Sequence, residues 1–118
     1  MDPDLERELR AAEEIVLVTS GRKTGRAHEM TVWCAYEDGA VWLRTDHGSD
    51  WYRNLRRDPR CHIRLGATVL AAVSETIADE AAALRRVVDL FRVKYGAEWV
   101  SDWYVERGRA PVRLRLER

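Results

Sequence analysis

The segment IVLVTSGRKTGR (residues 15–26) joins an apolar run to a loop that holds two glycines and three cations. A second apolar run, MTVWC (residues 30–34), follows it. Glycine allows the backbone conformations of a tight connection, and arginine presents a planar donor fork that matches phosphate. The segment therefore predicts two strands joined by a loop suited to binding an anion. A solvated basic hairpin loop is the alternative, because turns often carry glycine and charge.

Strand patterns continue on both sides of this segment. Six stretches have the apolar runs or the alternation typical of strands, namely residues 15–19, 29–36, 40–45, 61–65, 68–77 and 112–116. Glu37-Asp38-Gly39 predicts a hairpin turn between the second and third of them. Because no regular βαβ alternation is present, we expect an α+β, mainly antiparallel fold: a six-stranded barrel with flanking helices, forming one domain over residues 1–118.

Capping residues predict the helices between these strands. Asp2 and Pro3 begin a helix over residues 3–12, and Ser49 begins a second one that must stop before Pro59. Asp79 begins the longest helix, which Gly96 ends. Residues 97–108 hold Trp99, Trp103 and Tyr104 in a polar stretch that fits a further helix.

Composition excludes several classes of function. The 118 residues carry 20 basic and 20 acidic side chains, so the net charge of zero argues against a protein that coats nucleic acid or an anionic membrane. Cys34 and Cys61 lie in strand-like segments, and the three histidines are scattered, so we expect buried thiols and no metal site. No membrane span or signal-like segment is present, which favours the cytoplasm.

Common catalytic motifs are absent from the chain. The loop lacks the spaced glycines of a P-loop, and neither Gly-x-Gly-x-x-Gly, Gly-x-Ser-x-Gly nor His-Glu-x-x-His occurs. A second loop, residues 45–51, starts a helix, and helix N-termini attract anions. Aromatic rings near a cationic anchor suit a flat cofactor with a phosphate tail. We expect Trp33 and Trp42 in the core or a dimer interface, and Trp51 at the site.

The two loops together carry a family resemblance. Residues 14–26 followed by WYRNLRRDP (residues 51–59) resemble the deazaflavin (F420)-dependent nitroreductase family, within the pyridoxamine 5′-phosphate oxidase-like, FMN-binding split β-barrel superfamily. The resemblance runs from about residue 13 to the C-terminus. It implies a homodimeric split β-barrel that binds coenzyme F420, or FMN as the alternative.

The resemblance also implies the roles of individual residues. The first loop would hold the phosphate tail, and Asn54 would form a hydrogen bond in the same region. Trp51 would pack beside the cofactor, and the loop of residues 45–48 would approach its ring system. In full, the implied cofactor-binding set is Arg22, Lys23, Thr24, Gly25, Arg26, Thr45, Asp46, His47, Gly48, Trp51 and Asn54. The chain departs from many members at His28, where they carry a basic residue, and at Thr31, where they carry proline.

The implied activity is hydride transfer from reduced F420 to an electron-poor acceptor such as a quinone, a nitro compound or an enone. An FMN-dependent reductase of the same fold is one alternative, and a non-catalytic flavin-binding or carrier protein is another. Tyr95 and Tyr104 are the candidate catalytic residues, as proton donors after hydride transfer, although packing of the long helix and its tail is the preferred explanation for both. We expect no nucleic-acid partner.

Overall fold

Seven antiparallel strands form one sheet in a computed structural model that describes residues 2–98, 100 and 109–117. The order across the sheet is β2-β1-β5-β6-β7-β4-β3. The strands are β1 (Ile15–Ser20), β2 (Ala27–Val32), β3 (Ala35–Glu37), β4 (Ala40–Asp46), β5 (Arg60–Leu65), β6 (Thr68–Ser74) and β7 (Arg109–Leu116). The predicted α+β, mainly antiparallel class is confirmed.

Three helices flank this sheet: α1 (Pro3–Ala11), α2 (Asp50–Arg57) and α3 (Glu80–Tyr95). Each predicted N-cap residue caps its helix. Asp2, Ser49 and Asp79 each accept a backbone N–H from the first turn of their helix. Gly96 follows α3 with a φ of 98°, which an L side chain rarely adopts. No helix in the described ranges is long and apolar enough to cross a membrane.

The sheet curls into a half-barrel, because its two edge strands are neighbours in sequence. β2 and β3 lie at opposite edges and only Trp33 and Cys34 separate them. The single strand expected over residues 29–36 is therefore two strands, and the count is seven instead of six. β2 pairs with β1 and β3 pairs with β4, so the chain changes partner between them.

Side chains from the end of α3 satisfy the backbone at this change of partner. The Cys34 N–H donates to the Tyr95 hydroxyl at 3.1 Å, and the Lys94 ammonium donates to the Cys34 carbonyl at 2.8 Å. A buried backbone N–H or carbonyl that has no partner strand needs another hydrogen-bond partner of this kind. The break in the strand is thus stable because α3 ends beside it.

Two layers of apolar side chains hold the fold together. The inner face of the barrel is filled by fully buried side chains such as Leu17, Leu43, Ile63 and Leu114. On the outer face, α3 packs against β7, β3 and β4, burying Val87, Val88 and Phe91 against Ala35. This arrangement leaves α2 at one end of the barrel, next to the β1–β2 connection.

Candidate functional site

The connection between β1 and β2, which we call the anion loop (residues 21–26), is a tight turn. The Gly21 N–H donates to the Arg26 carbonyl at 2.8 Å, and the Gly25 N–H donates to the Gly21 carbonyl at 2.7 Å. Gly25 has a φ of 73°. A Cβ on Gly21 would lie 3.2 Å from the Arg26 carbonyl and 3.3 Å from the Thr24 hydroxyl. Gly25 is therefore favoured by its positive φ, and a side chain at position 21 would push its neighbours aside by a few tenths of an ångström.

Arg22 binds the anion loop to α2. Its guanidinium donates to the Asn54 amide oxygen at 3.0 Å and to the Asp50 carboxylate at 3.2 Å, and its backbone N–H also reaches the Asn54 oxygen, at 3.1 Å. Only 21% of the Arg22 side chain is exposed. These contacts use part of the Arg22 guanidinium to position the loop against α2, and the implied role of Arg22 in cofactor binding stays a prediction.

Asn54 is the buried partner of that contact. It is 2% exposed, and its amide nitrogen donates to the Thr19 hydroxyl at 3.2 Å while its oxygen accepts from Arg22. Because both ends of the amide have partners, Asn54 fastens the loop, the helix and β1 to one another. The structure thus brings Arg22 and Asn54 together, as the resemblance implied, but through contact with each other.

The other half of the anion loop is free to meet a ligand. Lys23, Thr24, Gly25 and Arg26 are exposed. Within the described ranges, the backbone N–H groups of Lys23 and Thr24 have no protein acceptor, and the Lys23 and Arg26 cations have no carboxylate partner. Two cations and two backbone donors on one tight turn are the chemistry that binds phosphate. These residues therefore fit the phosphate end of a flavin-type cofactor.

The loop after β4 is held by its own side chains. The Thr45 hydroxyl donates to the Ser49 hydroxyl at 2.8 Å, and the Ser49 N–H donates to the Asp46 carbonyl at 3.0 Å. Asp46 forms an ion pair with Arg109 of β7. Thr45 is buried and Asp46 is exposed, so these residues shape the entry of α2.

His47 and Gly48 lie at the exposed tip of the same loop. The His47 ring contacts the Tyr52 ring edge-on, with 5.6 Å between their centres. Its Nε2 lies 3.7 Å from the Glu80 carboxylate at the start of α3. The imidazole is therefore turned towards α2 and α3.

Trp51 lines a cavity between the edge strand β2 and the end of β4 that β3 does not pair with. This seam cavity of about 260 Å³ lies between β2 and β4. Trp51 is 5% exposed and belongs to the inner core. The lining combines rings with one cation and one carboxylate, and consists of Met30, Thr31, Val32, Trp33, Arg44, Thr45, Asp46, Trp51 and Phe91. Three of the predicted site residues, Thr45, Asp46 and Trp51, thus share one cavity.

A second concavity, missed from the sequence, lies on the exposed side of α2. We call it the arginine cleft; it is a wide, open concavity of about 690 Å³, lined by Arg22, His47, Tyr52, Arg53, Arg56, Arg57 and Glu80. The sequence does indicate this cleft, because the arginines at positions 53, 56 and 57 are spaced to share one face of a helix. Arg22 and His47 are the two predicted site residues that border it.

Tyr95 is engaged with the backbone. Its hydroxyl donates to the Glu13 carbonyl at 2.6 Å, with the Cys34 carbonyl 3.0 Å away, and it accepts the Cys34 N–H. Its ring stacks on Trp33 at 4.1 Å, and burial raises the pKa of the phenol. These contacts favour a structural role for Tyr95. The other candidate proton donor, Tyr104, lies outside the described residues, as do Trp99 and Trp103.

Cys34 and Cys61 are both free and buried. Burial raises the pKa of the Cys61 thiol to about 12, so this group stays protonated at neutral pH. In the described part of the chain, no three His, Cys, Asp or Glu side chains cluster closely enough to hold a metal ion.

Comparison with known proteins identifies a family. The model of the family described as F420H2-dependent quinone reductase matches residues 2–113, which include both the anion loop and α2. No curated protein sequence matches the chain.

Solved structures share the fold. HutZ, described as a heme storage protein from Vibrio cholerae, superposes with a TM-score of 0.77 at 15% identity over 99% of this chain and 90% of its own. A protein described as an F420 reductase gives 0.72 at 15% identity, over 96% and 93%. A protein assigned as a pyridoxamine 5′-phosphate oxidase, from Listeria innocua, gives 0.74 at 11% identity, over 98% and 92%. At these identities the likeness concerns the fold alone.

Proposed function

This chain belongs to the F420H2-dependent quinone reductase family, and from that premise we propose that it transfers a hydride from reduced F420 to a quinone or another small electron-poor acceptor. Membership makes the chain an F420-dependent oxidoreductase and confirms the resemblance to deazaflavin-dependent enzymes. The identity of the hydride acceptor is the part that we propose. Quinones come first because the family is described by them, and nitro compounds and enones share their electron-poor double bonds.

The observation that supports the proposal most directly is the free half of the anion loop. Lys23 and Arg26, with two unpartnered N–H groups, offer a phosphate site on a turn that Arg22 and Asn54 hold rigidly against α2. Preorganised donors of this kind bind an anion without having to be ordered first.

The anion loop and the seam cavity are placed for one elongated ligand. β2 leaves the loop at Ala27 and reaches the cavity at Met30, a separation of about 10 Å at the usual rise of a strand. α2 joins them a second time, since Trp51 lines the cavity and Asn54, one turn later, fastens the loop. A cofactor with a phosphate at one end and a flat ring at the other fits this spacing.

In this proposal each residue has a defined task. F420 supplies the hydride. Lys23, Thr24, Gly25 and Arg26 bind its phosphate, and Arg22 and Asn54 position them. Trp51 and Trp33 flank the flat ring and exclude water, while Thr45, Asp46, His47 and Gly48 shape the approach to it. Tyr104 remains our candidate proton donor, because the hydroxyl of Tyr95 is held by backbone groups.

Titration with F420 and with FMN, followed by tryptophan fluorescence, tests the cofactor. Tighter binding of F420, together with oxidation of reduced F420 when a quinone is added, is the expected result. A preference for FMN would move the protein to the FMN-dependent reductases of the same fold. Binding of F420 without turnover on quinones, nitro compounds or enones would favour the carrier alternative.

We also propose that the chain forms a homodimer through the outer face of β1, β5 and β6. In the register of these strands, the apolar side chains of β1 and β6 on the outward face flank the polar ones of β5: Val16, Val18, Val69, Ala71 and Val73 lie beside Arg60, His62 and Arg64. Val69 is 59% exposed, and α3 packs on β7, β3 and β4 instead. Association would remove this apolar surface from water. Analytical ultracentrifugation should give a dimer that Val18→Lys with Val69→Lys dissociates, and a monomeric parent protein would contradict the proposal.

The cytoplasm is the compartment we propose for this enzyme. Its two thiols are free and buried, as is usual for cysteines under reducing conditions. Cell fractionation with a tagged chain would test the location, and recovery in a secreted fraction would contradict it.

A further inference from the structure

One cation lies among the rings that line the seam cavity. β3 pairs with β4 only as far as Trp42, so the rest of β4 borders this cavity. Leu43 and Thr45 are buried, and Arg44 between them lies on the outer face of the strand, where it lines the cavity. Arg44 has no part in the function proposed above, although it lies where the flat ring of the cofactor would be bound.

The carboxylate in the same cavity is matched by a second arginine. Asp46 lies opposite Arg109 in the register of β4 and β7, and the two form an ion pair. Among the described residues, β2, α2 and α3 contribute no titratable side chain to the lining. A guanidinium has five N–H donors in a fixed fork, so Arg44 can bond a ligand oxygen in addition to protein groups. The seam cavity therefore presents a positive charge to a flat group that enters it.

The aromatic walls strengthen the effect of this charge. Trp51 is 5% exposed and Phe91 is 2% exposed. Trp33 is held in place because its ring stacks on Tyr95, with 4.1 Å between their centres. Rings that exclude water lower the local dielectric constant, and a charge then acts more strongly than it would in water. A planar anion thus suits both the rings and the cation, whereas a planar neutral group suits only the rings.

We propose that Arg44 binds the ionised ring of oxidised F420 and thereby selects the deazaflavin over FMN. This inference rests on the proposed function, because it presumes that the ring of the cofactor occupies the seam cavity. The F420 ring carries a phenol-like hydroxyl, and its ionisation spreads one negative charge over the conjugated ring. FMN has a methyl group at that place, and its oxidised ring is neutral at neutral pH. A hydrogen bond from a guanidinium is stronger to an anion than to a neutral acceptor.

The absorption spectrum of bound F420 tests the proposal, because the long-wavelength band that gives F420 its name belongs to the ionised ring. Oxidised F420 is titrated with acid while bound to the parent protein, to Arg44→Gln and to Arg44→Lys. The parent should hold the pKa of the bound ring roughly one pH unit below its value in free solution, which equals roughly tenfold tighter binding of the ionised form. Arg44→Gln should return that pKa to the free value or above it, and Arg44→Lys should keep most of the decrease.

Affinities measured above the pKa of the ring compare the two cofactors. Arg44→Gln should weaken the binding of F420 roughly tenfold and that of FMN less than about twofold. Arg115→Gln is the matched control, since it removes one exposed arginine from the same face of the sheet. Its partner in the register, Ala40, lies about 13 Å along β4 from Arg44 at the usual rise of a strand. This control should change neither the pKa of the bound ring nor either affinity.

The measurement on the parent protein needs no variant, so it decides the matter even if Arg44→Gln does not fold. An unchanged or raised pKa of the ring bound to the parent would overturn the proposal and leave the proposed function intact. An equal decrease in the parent and in Arg44→Gln would also overturn it, by assigning the anion to other donors. Equal weakening of F420 and FMN in Arg44→Gln would remove the selectivity. A parent protein that does not bind F420 at all would remove the proposed function together with this inference.

Discussion

The two halves of the anion loop differ sharply although they are adjacent in sequence. Arg22 is partly buried and donates four hydrogen bonds to Asp50 and Asn54 of α2. Lys23, Thr24, Gly25 and Arg26 are exposed, and none of their cations meets a carboxylate in the described residues. Two neighbouring cations therefore do different work: the first holds the turn in shape, and the second is available to a ligand. The two side chains differ in their neighbours and not in their charge, because Arg22 faces Asp50 and Asn54 of α2 and Lys23 faces solvent.

The largest effect that tests this comparison is expected at Asn54. Asn54→Ala removes the acceptor for Arg22 and the donor to Thr19, and leaves polar groups at a buried position unsatisfied. We expect a loss of about 3 kcal/mol in the free energy of unfolding, measured with urea. Cofactor binding should weaken as well. A stable variant with normal affinity would show that the half of the loop that Arg22 holds against α2, the docked half, does not depend on this amide.

Single substitutions at Arg22 and Lys23 separate the two halves directly. Arg22→Gln should lower the stability of the apo protein by about 1 kcal/mol, since it loses contacts that are only partly screened by water. Lys23→Gln should leave apo stability within about 0.5 kcal/mol and weaken the binding of both F420 and FMN roughly tenfold. Urea unfolding and fluorescence titration on the same two variants provide the measurements. Loss of apo stability in Lys23→Gln, with unchanged binding, would reverse the assignment.

Gly25 tests whether the free half keeps its own conformation. A Cβ there would meet no neighbour, but the φ of 73° is costly for any L side chain. Gly25→Ala should therefore cost about 1 kcal/mol through backbone strain alone. Gly25→Asn, which tolerates positive φ better, should recover part of that loss. Equal stability of Gly25→Ala and the parent would mean that the turn changes shape without cost.

The smallest expected effect concerns the strand beneath the docked half. Cys61 is paired with Thr19 across β1 and β5, and burial raises the pKa of its thiol to about 12. The unfolded chain releases this proton near pH 9 while the folded chain keeps it, so stability falls as pH rises above 9. From pH 9 to pH 10 the loss should be about 1 kcal/mol or less. Cys61→Val should flatten that slope, and an unchanged slope would assign it to other groups.

Much of the fold was predictable from local signals. Helix caps at Asp2, Ser49 and Asp79, and the Asp38-Gly39 turn, act within a few residues of themselves. The break between β2 and β3 was not predictable, because residues 30–36 are almost continuously apolar and read as one strand. The side chain that accepts the N–H at the break, Tyr95, lies 61 residues further along the chain.

The candidate site shows the same limit. Sequence reasoning located the anion loop and α2, and the family match covers both. It could not divide the loop into a docked and a free half, because Asp50 and Asn54 are 28 and 32 residues from Arg22. The arginine cleft, by contrast, required only the helical spacing of residues 53, 56 and 57 to be noticed.

The Tyr95 hydroxyl has a consequence for the order of events during synthesis. It joins Glu13, before β1, to Cys34, between the two edge strands, so those backbone groups wait for a residue made 82 and 61 positions later. β7, which joins β6 to β4 in the sheet, is made later still. A chain that stops before α3 therefore has two separate sets of strands, β2-β1-β5-β6 and β4-β3, whose open edges invite pairing with other chains. Closure of the half-barrel is thus one of the last steps and needs both α3 and β7.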